Sequence, residues 1–139
     1  MSTVLLPPEY EPSPKDEFMN STMTEYFRQR LLDWRIEILK ESGQTLENLQ
    51  SESLQEPDVA DRASLETDRA LELRTRDRER KLLSKIGEAL ERIERGLYGY
   101  CEDSGEPISL KRLVARPIAT LTLEAQERHE WDEKTHRDD

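Results

Sequence analysis

The chain has 139 residues, 37% of them charged and 34% hydrophobic, with two Phe, two Trp and four Tyr. That is too little apolar material for a large compact core, yet its helical spacing is too regular for a disordered chain. A net charge of −10 excludes bulk electrostatic capture of nucleic acid, and no stretch approaches the ~20 apolar residues of a membrane span. In chain order, residues 1–19 carry Pro7, Pro8, Pro12 and Pro14. They read as a disordered or extended tail, with Val4, Leu5, Leu6 and Tyr10 available to pack on the body. The opening residues lack a basic flank and a long apolar run, so no secretory signal is expected. A helix should start near Asn20, Ser21 and Thr22, all capping residues. Phe27, Leu31, Trp34 and Ile38 follow at four-three-four spacing, and Leu32, Ile36 and Leu39 widen the stripe. Leu46, Leu49 and Leu54 continue it more weakly. Gly43 weakens the middle by about 1 kcal/mol relative to Ala.

Pro57 interrupts this pattern and biases Glu56 away from helix. Asp58 can cap a new helix, with Asp61 three residues on in a capping-box-like position. The chain should therefore turn at a tip near 54–60 that carries carboxylates and little apolar bulk. The second helix is expected over about 58–95, with Leu65, Leu71, Leu82, Ile86, Ala89, Ile93 and Leu97 on its stripe. Residues 20–96 thus read as an antiparallel coiled-coil hairpin, its apolar seam strongest far from the tip. Its mid-section, residues 74–81, is almost wholly charged. One reading is a solvated helix with internal ion pairs. The other is a basic collar for an acidic partner or a phosphate ligand. Gly96 should end the helix, and a turn-rich segment follows to Pro107. Short extended pieces are expected between Ile108 and Arg116, and Thr122 should cap a final helix from Leu123 to His136. Residues 97–139 form the small globular base in this reading, with Leu97, Ile108, Leu113, Ile118 and Leu121 as its apolar material. The fold class is mostly α. The single cysteine excludes an intrachain disulfide, and a cytoplasmic location is expected.

Residues 98–108, Tyr-Gly-Tyr-Cys-Glu-Asp-Ser-Gly-Glu-Pro-Ile, look like half of a zinc knuckle, and residues 112–121 look like the lead-in to the other half. Together with residues 58–63, Asp-Val-Ala-Asp-Arg-Ala, and the charged run after Leu71, they closely resemble the DksA family over roughly residues 20–130. The resemblance implies a bacterial transcription regulator that does not bind DNA sequence-specifically. It would insert a coiled coil into the secondary channel of RNA polymerase and adjust initiation together with guanosine tetraphosphate (ppGpp). It implies no enzyme activity, no membrane association and a monomeric state. Asp58, Asp61 and Ala63 match the family's Asp-x-x-Asp-x-Ala tip. Arg78, Leu82, Lys85 and Arg116 match positions involved in the nucleotide response. Gln126 stands where relatives often have Lys, which removes one phosphate-directed charge. Many relatives have two Cys-x-x-Cys pairs separated by seventeen residues, a strong zinc signature. Those four positions are here Cys101, Ser104, Thr122 and Ala125, so a zinc-free protein is expected. Cys101 is then a small buried hydrophobe, and His129 and His136 are ordinary surface residues. Two other functions fit parts of the pattern. In a Gre-like transcript-cleavage or elongation factor, paired tip carboxylates would recruit a metal. A plain coiled-coil adaptor would need the helices but not the tip.

Overall fold

The structure, a computed structural model, describes residues 5–53 and 59–136, and the side chains of all of these except 44–53 and 59–61. Among the described residues four helices account for the regular structure: α1 (Ser21–Ser53), α2 (Val59–Glu94), α3 (Leu110–Ala115) and α4 (Leu123–His136). Among the described residues there is no strand, only an isolated antiparallel bridge between Tyr100 and Pro107. The mostly α fold with two long helices is as the sequence implies. The turn between them, residues 54–58, lies outside the described residues.

The helix boundaries follow from local chemistry. Asn20 Oδ1 accepts the Met23 amide at 2.8 Å, which satisfies one orphan donor at the start of α1. At the end of α2, Gly96 takes a positive φ of 73°. Its amide bonds the Ile93 carbonyl at 3.1 Å, and the next amide, Leu97, reaches back to Arg92 at 2.8 Å. This paired closure is a Schellman motif, and only glycine adopts its left-handed residue without strain.

The chain separates into two units, Met1–Leu31 with Glu88–Asp139, and Leu32–Gly87. In the first, Met23, Phe27, Ile108, Leu113 and Ala125 are wholly buried, with Tyr98, Cys101, Ile118 and Ala119 close behind. Burying a side chain such as Leu113 contributes about 1.5–3 kcal/mol. Phe27 packs on Tyr98 with ring centroids 5.5 Å apart. The segment before α1 joins this core. Tyr10 meets Tyr26 edge-on at 5.8 Å, and Phe18 meets Tyr100 at 5.4 Å. Met19 closes against Gly99, where an added Cβ would lie 3.1 Å from the methionine side chain. Leu5 stays exposed. In the second unit the stretches of α1 and α2 meet through Ser42, whose hydroxyl donates to the buried carboxylate of Glu79. Ile38 and Ile86 are buried there.

Two expectations are corrected. Residues 110–115 form a helix rather than extended pieces. Ser109 Oγ accepts the Arg112 amide at 3.2 Å, and Leu113 drops into the core one turn later. Leu97 does not serve the base core: it is 48% exposed, because it follows the left-handed Gly96 and turns outward.

Candidate functional site

Asp58 lies outside the described residues, as does the side chain of Asp61, which falls in the first turn of α2. The third tip residue, Ala63, is exposed. It lines a shallow depression of about 500 Å3 on α2 with Glu66, Thr67, Ala70, Leu71 and Arg74. Further along the same helix, Arg78, Leu82 and Lys85 recur at helical spacing. Leu82 is half-buried, whereas Arg78 and Lys85 are exposed and form no ion pair or hydrogen bond among the described residues. In residues 74–81 the one ion pair among described residues joins Lys81 to Asp77 at 3.3 Å. Ion pairing therefore leaves most of the cations in this run unpaired.

The other two residues matched to the nucleotide response belong to the first unit. Arg116 ends α3, its amide bonded to the Arg112 carbonyl at 2.7 Å, with its guanidinium free of partners among the described residues. It borders a depression of about 320 Å3 lined also by Ser109, Lys111, Arg112, Ala115 and Leu123. Gln126 is half-buried on α4, and its amide donates to Glu130 at 3.2 Å. It is thus already occupied within its own helix.

The knuckle positions come together, but not as a metal site. Cys101 and Thr122 meet, Oγ1 to Sγ, at 3.8 Å. The same threonine oxygen accepts the Ala125 amide at 3.2 Å, so it is the cap of α4. Ser104 Oγ accepts the Glu106 amide at 3.3 Å, and Ala125 fills core space with no donor atom. Structural zinc takes four nitrogen or sulfur ligands. One thiol beside two hydroxyls that are already engaged does not fit it. Among the described residues no group of three or more His, Cys, Asp or Glu could hold a metal ion.

The knuckle turn itself is retained. Cys101 and Glu106 are joined by an amide-to-carbonyl bond of 2.8 Å, Gly105 bonds back to the Cys101 carbonyl at 2.9 Å, and Ile108 bonds to Gly99 at 2.8 Å. Cys101 is buried, which pushes its thiol pKa up. Hydrogen bonds from the Ser104 hydroxyl and from the amides of Thr122, Ser104 and Asp103 pull it down further, to about 6. The surroundings of this thiol therefore favour an anion.

Several side chains that fix this region carried no recognisable sequence signal. Arg92 donates to the carbonyls of Tyr100 at 2.7 Å and Leu97 at 3.1 Å, and pairs with Glu102 at 3.2 Å. Arg30 reaches the Val114 carbonyl at 2.7 Å, Arg112 the Leu121 carbonyl at 2.9 Å, and the Tyr98 hydroxyl the Pro117 carbonyl at 2.7 Å. Burial holds the Tyr98 phenol well above its ordinary range, so it remains a donor. His129, though on the surface, meets Asp103 at 2.5 Å and ties α4 to the knuckle turn.

A long helix pair and a knuckle turn without a ligand set, in one chain, define the class: an α-helical hairpin protein with a degenerate zinc-finger module. A family model for the N-terminal domain of the DnaK suppressor protein DksA matches residues 23–93. One for the prokaryotic dksA/traR C4-type zinc finger matches residues 96–130. The RNA polymerase-binding transcription factor DksA of Caulobacter vibrioides is 62% identical over 131 residues, covering 94% of this chain and 92% of that one. The protein of the same name from Escherichia coli K12 is 41% identical over 125 residues, covering 90% and 83%. The structure of transcription factor DksA2 from Pseudomonas aeruginosa superposes with a TM-score of 0.79 at 43% identity, over 84% of this chain and 90% of that one. The chain belongs to the DksA family.

Proposed function

We propose that this protein is a transcription regulator that binds RNA polymerase, inserts its helix pair into the secondary channel and modulates initiation together with guanosine tetraphosphate. The observation that carries this reading is the 62% identity, over 94% of the chain, to a protein named as an RNA polymerase-binding transcription factor. The retained Asp58, Asp61 and Ala63 support it, because a carboxylate tip can act by charge and hydrogen bonding on a neighbouring catalytic loop without chemistry of its own. The protein is therefore read as a non-enzyme, organised as an N-terminal segment over 1–19, a hairpin over 20–96 and a base over 97–139. It works as a monomer, in the cytoplasm where the polymerase is. Among the described residues no helix is long and apolar enough to cross a membrane.

The nucleotide is read as held jointly with the polymerase. Among the described residues Arg78, Lys85 and Arg116 are cations without partners, and a free guanidinium or ammonium is what a phosphate requires. Leu82 would pack apolar surface, and Gln126 would contribute less than a lysine. The base is read as standing without zinc, which its donor set supports. The test is transcription in vitro from a ribosomal RNA promoter, with and without guanosine tetraphosphate. Repression that deepens with the nucleotide is expected. No effect on transcription, or no binding to polymerase, would end this reading.

A further inference from the structure

Arg116 closes α3 at φ −140° and ψ 87°, outside the helical region. A cation that leaves a short helix in this way would ordinarily move with the loose end of the chain. Here the backbone around it is held from several directions. Its amide bonds the Arg112 carbonyl at 2.7 Å, and its carbonyl accepts the Ala119 amide at 3.0 Å. The nearby carbonyls on either side are held by side chains from elsewhere in the same unit. Arg30 of α1 donates Nη1 to the Val114 carbonyl at 2.7 Å, and the Tyr98 hydroxyl donates to the Pro117 carbonyl at 2.7 Å.

These two long-range bonds reach carbonyls that the helix itself does not serve. Val114 lies in the last turn of α3, where carbonyls have no intrahelical donor, and Pro117 has no amide hydrogen with which to bond back into the helix. The start of α3 is secured by Ser109 and its middle by the buried Leu113, so Arg30 and Tyr98 act beyond both, on the residues that flank Arg116. Each donor is itself fixed. The Arg30 guanidinium lies 5.9 Å from the Tyr26 ring, and Tyr26 meets Tyr10 and Phe27 edge-on at 5.8 and 5.2 Å. Tyr98 is 4% exposed, and burial keeps its phenol protonated.

The Arg116 side chain is the opposite of its backbone. Its guanidinium has no partner among the described residues, and it borders the depression that Lys111 and Leu123 also line. A fixed backbone beneath a free cation suits a preorganised phosphate contact, because ordering is completed on folding rather than on binding.

We propose that Arg30 and Tyr98 are positioning residues for Arg116, and that by holding the Val114 and Pro117 carbonyls they set the sensitivity to guanosine tetraphosphate. This rests on the reading of Arg116 as a phosphate contact given above. Neither residue is assigned a contact with the nucleotide: the Arg30 Nη1 is committed to a carbonyl, and the Tyr98 hydroxyl is buried.

The experiment is a nucleotide titration of promoter inhibition with the full chain. Arg30→Ala and Tyr98→Phe should each raise the midpoint about three- to tenfold, less than loss of Arg116 itself. Tyr98→Phe removes the hydroxyl and keeps the ring that packs on Phe27. Inhibition without nucleotide, and helicity by circular dichroism, should be unchanged in both. Arg28→Ala is the control, since Arg28 bonds Glu25 within α1, and its midpoint should stay at the wild-type value. In an Arg116→Ala background, Arg30→Ala should shift the midpoint no further, because the side chain it acts through is gone. An Arg30→Ala midpoint equal to wild type, an additive shift in the double variant, or inhibition without nucleotide falling in parallel would overturn the inference while leaving Arg116 as a phosphate contact. A wild type without nucleotide response, or an unchanged midpoint in Arg116→Ala, would instead overturn the nucleotide reading and this inference with it.

Discussion

The Cys101 thiol should make stability depend on pH in a way that its removal abolishes. Hydrogen bonds lower its pKa from the ordinary 9.0 to about 6 in the folded protein, against the effect of burial. A folded value below the unfolded one means that the native state favours the thiolate. The added stability is fully present above about pH 9, where both states are ionised. It declines as pH falls and is gone below about 6, where both are protonated. A separation of about three pH units corresponds to about 4 kcal/mol across that window, with about 2 kcal/mol present near pH 7.5. The assay is urea unfolding of wild type, Cys101→Ala and Cys101→Ser at intervals from pH 5.5 to 9. Lost packing costs the variants a pH-independent amount, and every other titrating group is common to all three. Only the thiolate can therefore make the difference between curves grow with pH. A gap that widens by about 2 kcal/mol between pH 5.5 and 7.5 is expected. A gap constant across the range would refute the reasoning, and would leave Cys101 as a small buried hydrophobe.

Three further outcomes are expected. Asp61→Asn should retain polymerase affinity, measured by competition binding, while losing much of the transcriptional effect; parallel loss of both would show that binding and action are not separable at this residue. Lys85→Ala and Arg116→Ala should each shift the nucleotide midpoint of promoter inhibition about tenfold or more, as expected for one charge-assisted phosphate contact. Gln126→Lys should shift it the other way, and unchanged midpoints in all three would remove the site. The purified protein should melt at the same temperature with and without a strong chelator, and elemental analysis should find no stoichiometric zinc; a melting point lowered by chelation would show a metal that holds the fold.

What was legible in the sequence was local chemistry. Asn20 before an apolar period, Gly96 after one, and Thr122 before a run of helix formers each place a helix end that the structure places in the same position. These signals work because the partners are within a few residues: Asn20 caps Met23, and Thr122 caps Ala125. α3 was not legible. Its six residues follow Ile108 and precede Pro117, which reads as extended chain. Ser109 caps it locally, but Leu113 is wholly buried and Arg30, 84 positions away, bonds the Val114 carbonyl, neither of which the neighbouring residues announce. The arginine clamps were hidden for a related reason. Arg30 and Val114 are 84 positions apart, and nothing local distinguishes Arg30 from a solvated cation. Of the candidate sites, the loss of zinc ligands could be read directly, since donor chemistry is residue identity. Asp58 and the side chain of Asp61 lie outside the described residues.

On the zinc-free reading proposed above, the four positions that match zinc ligands in relatives account for a knuckle that keeps its turn without a metal. A zinc ion would cross-link two chain segments through four side chains at once. Here the same positions act separately and more weakly. Thr122 touches Cys101 and caps α4, so one hydroxyl joins the turn to the helix. Ser104 holds the Glu106 amide, which keeps the turn closed. Ala125 replaces a ligand with wholly buried apolar volume beside a core that already includes Ile108 and Leu113. His129 and Asp103 add a second tie between turn and helix. Arg92 gathers the carbonyls of Leu97 and Tyr100. Each such bond contributes only about 0.5–1.5 kcal/mol, so no single one substitutes for a metal. On that reading their combined effect depends on all being present together, and the base should be sensitive to small changes at many positions rather than to a chelator. Reinstating zinc would then require more than Ser104→Cys, Thr122→Cys and Ala125→Cys. The threonine would surrender its cap, and the alanine site would have to open a packed core to admit a sulfur.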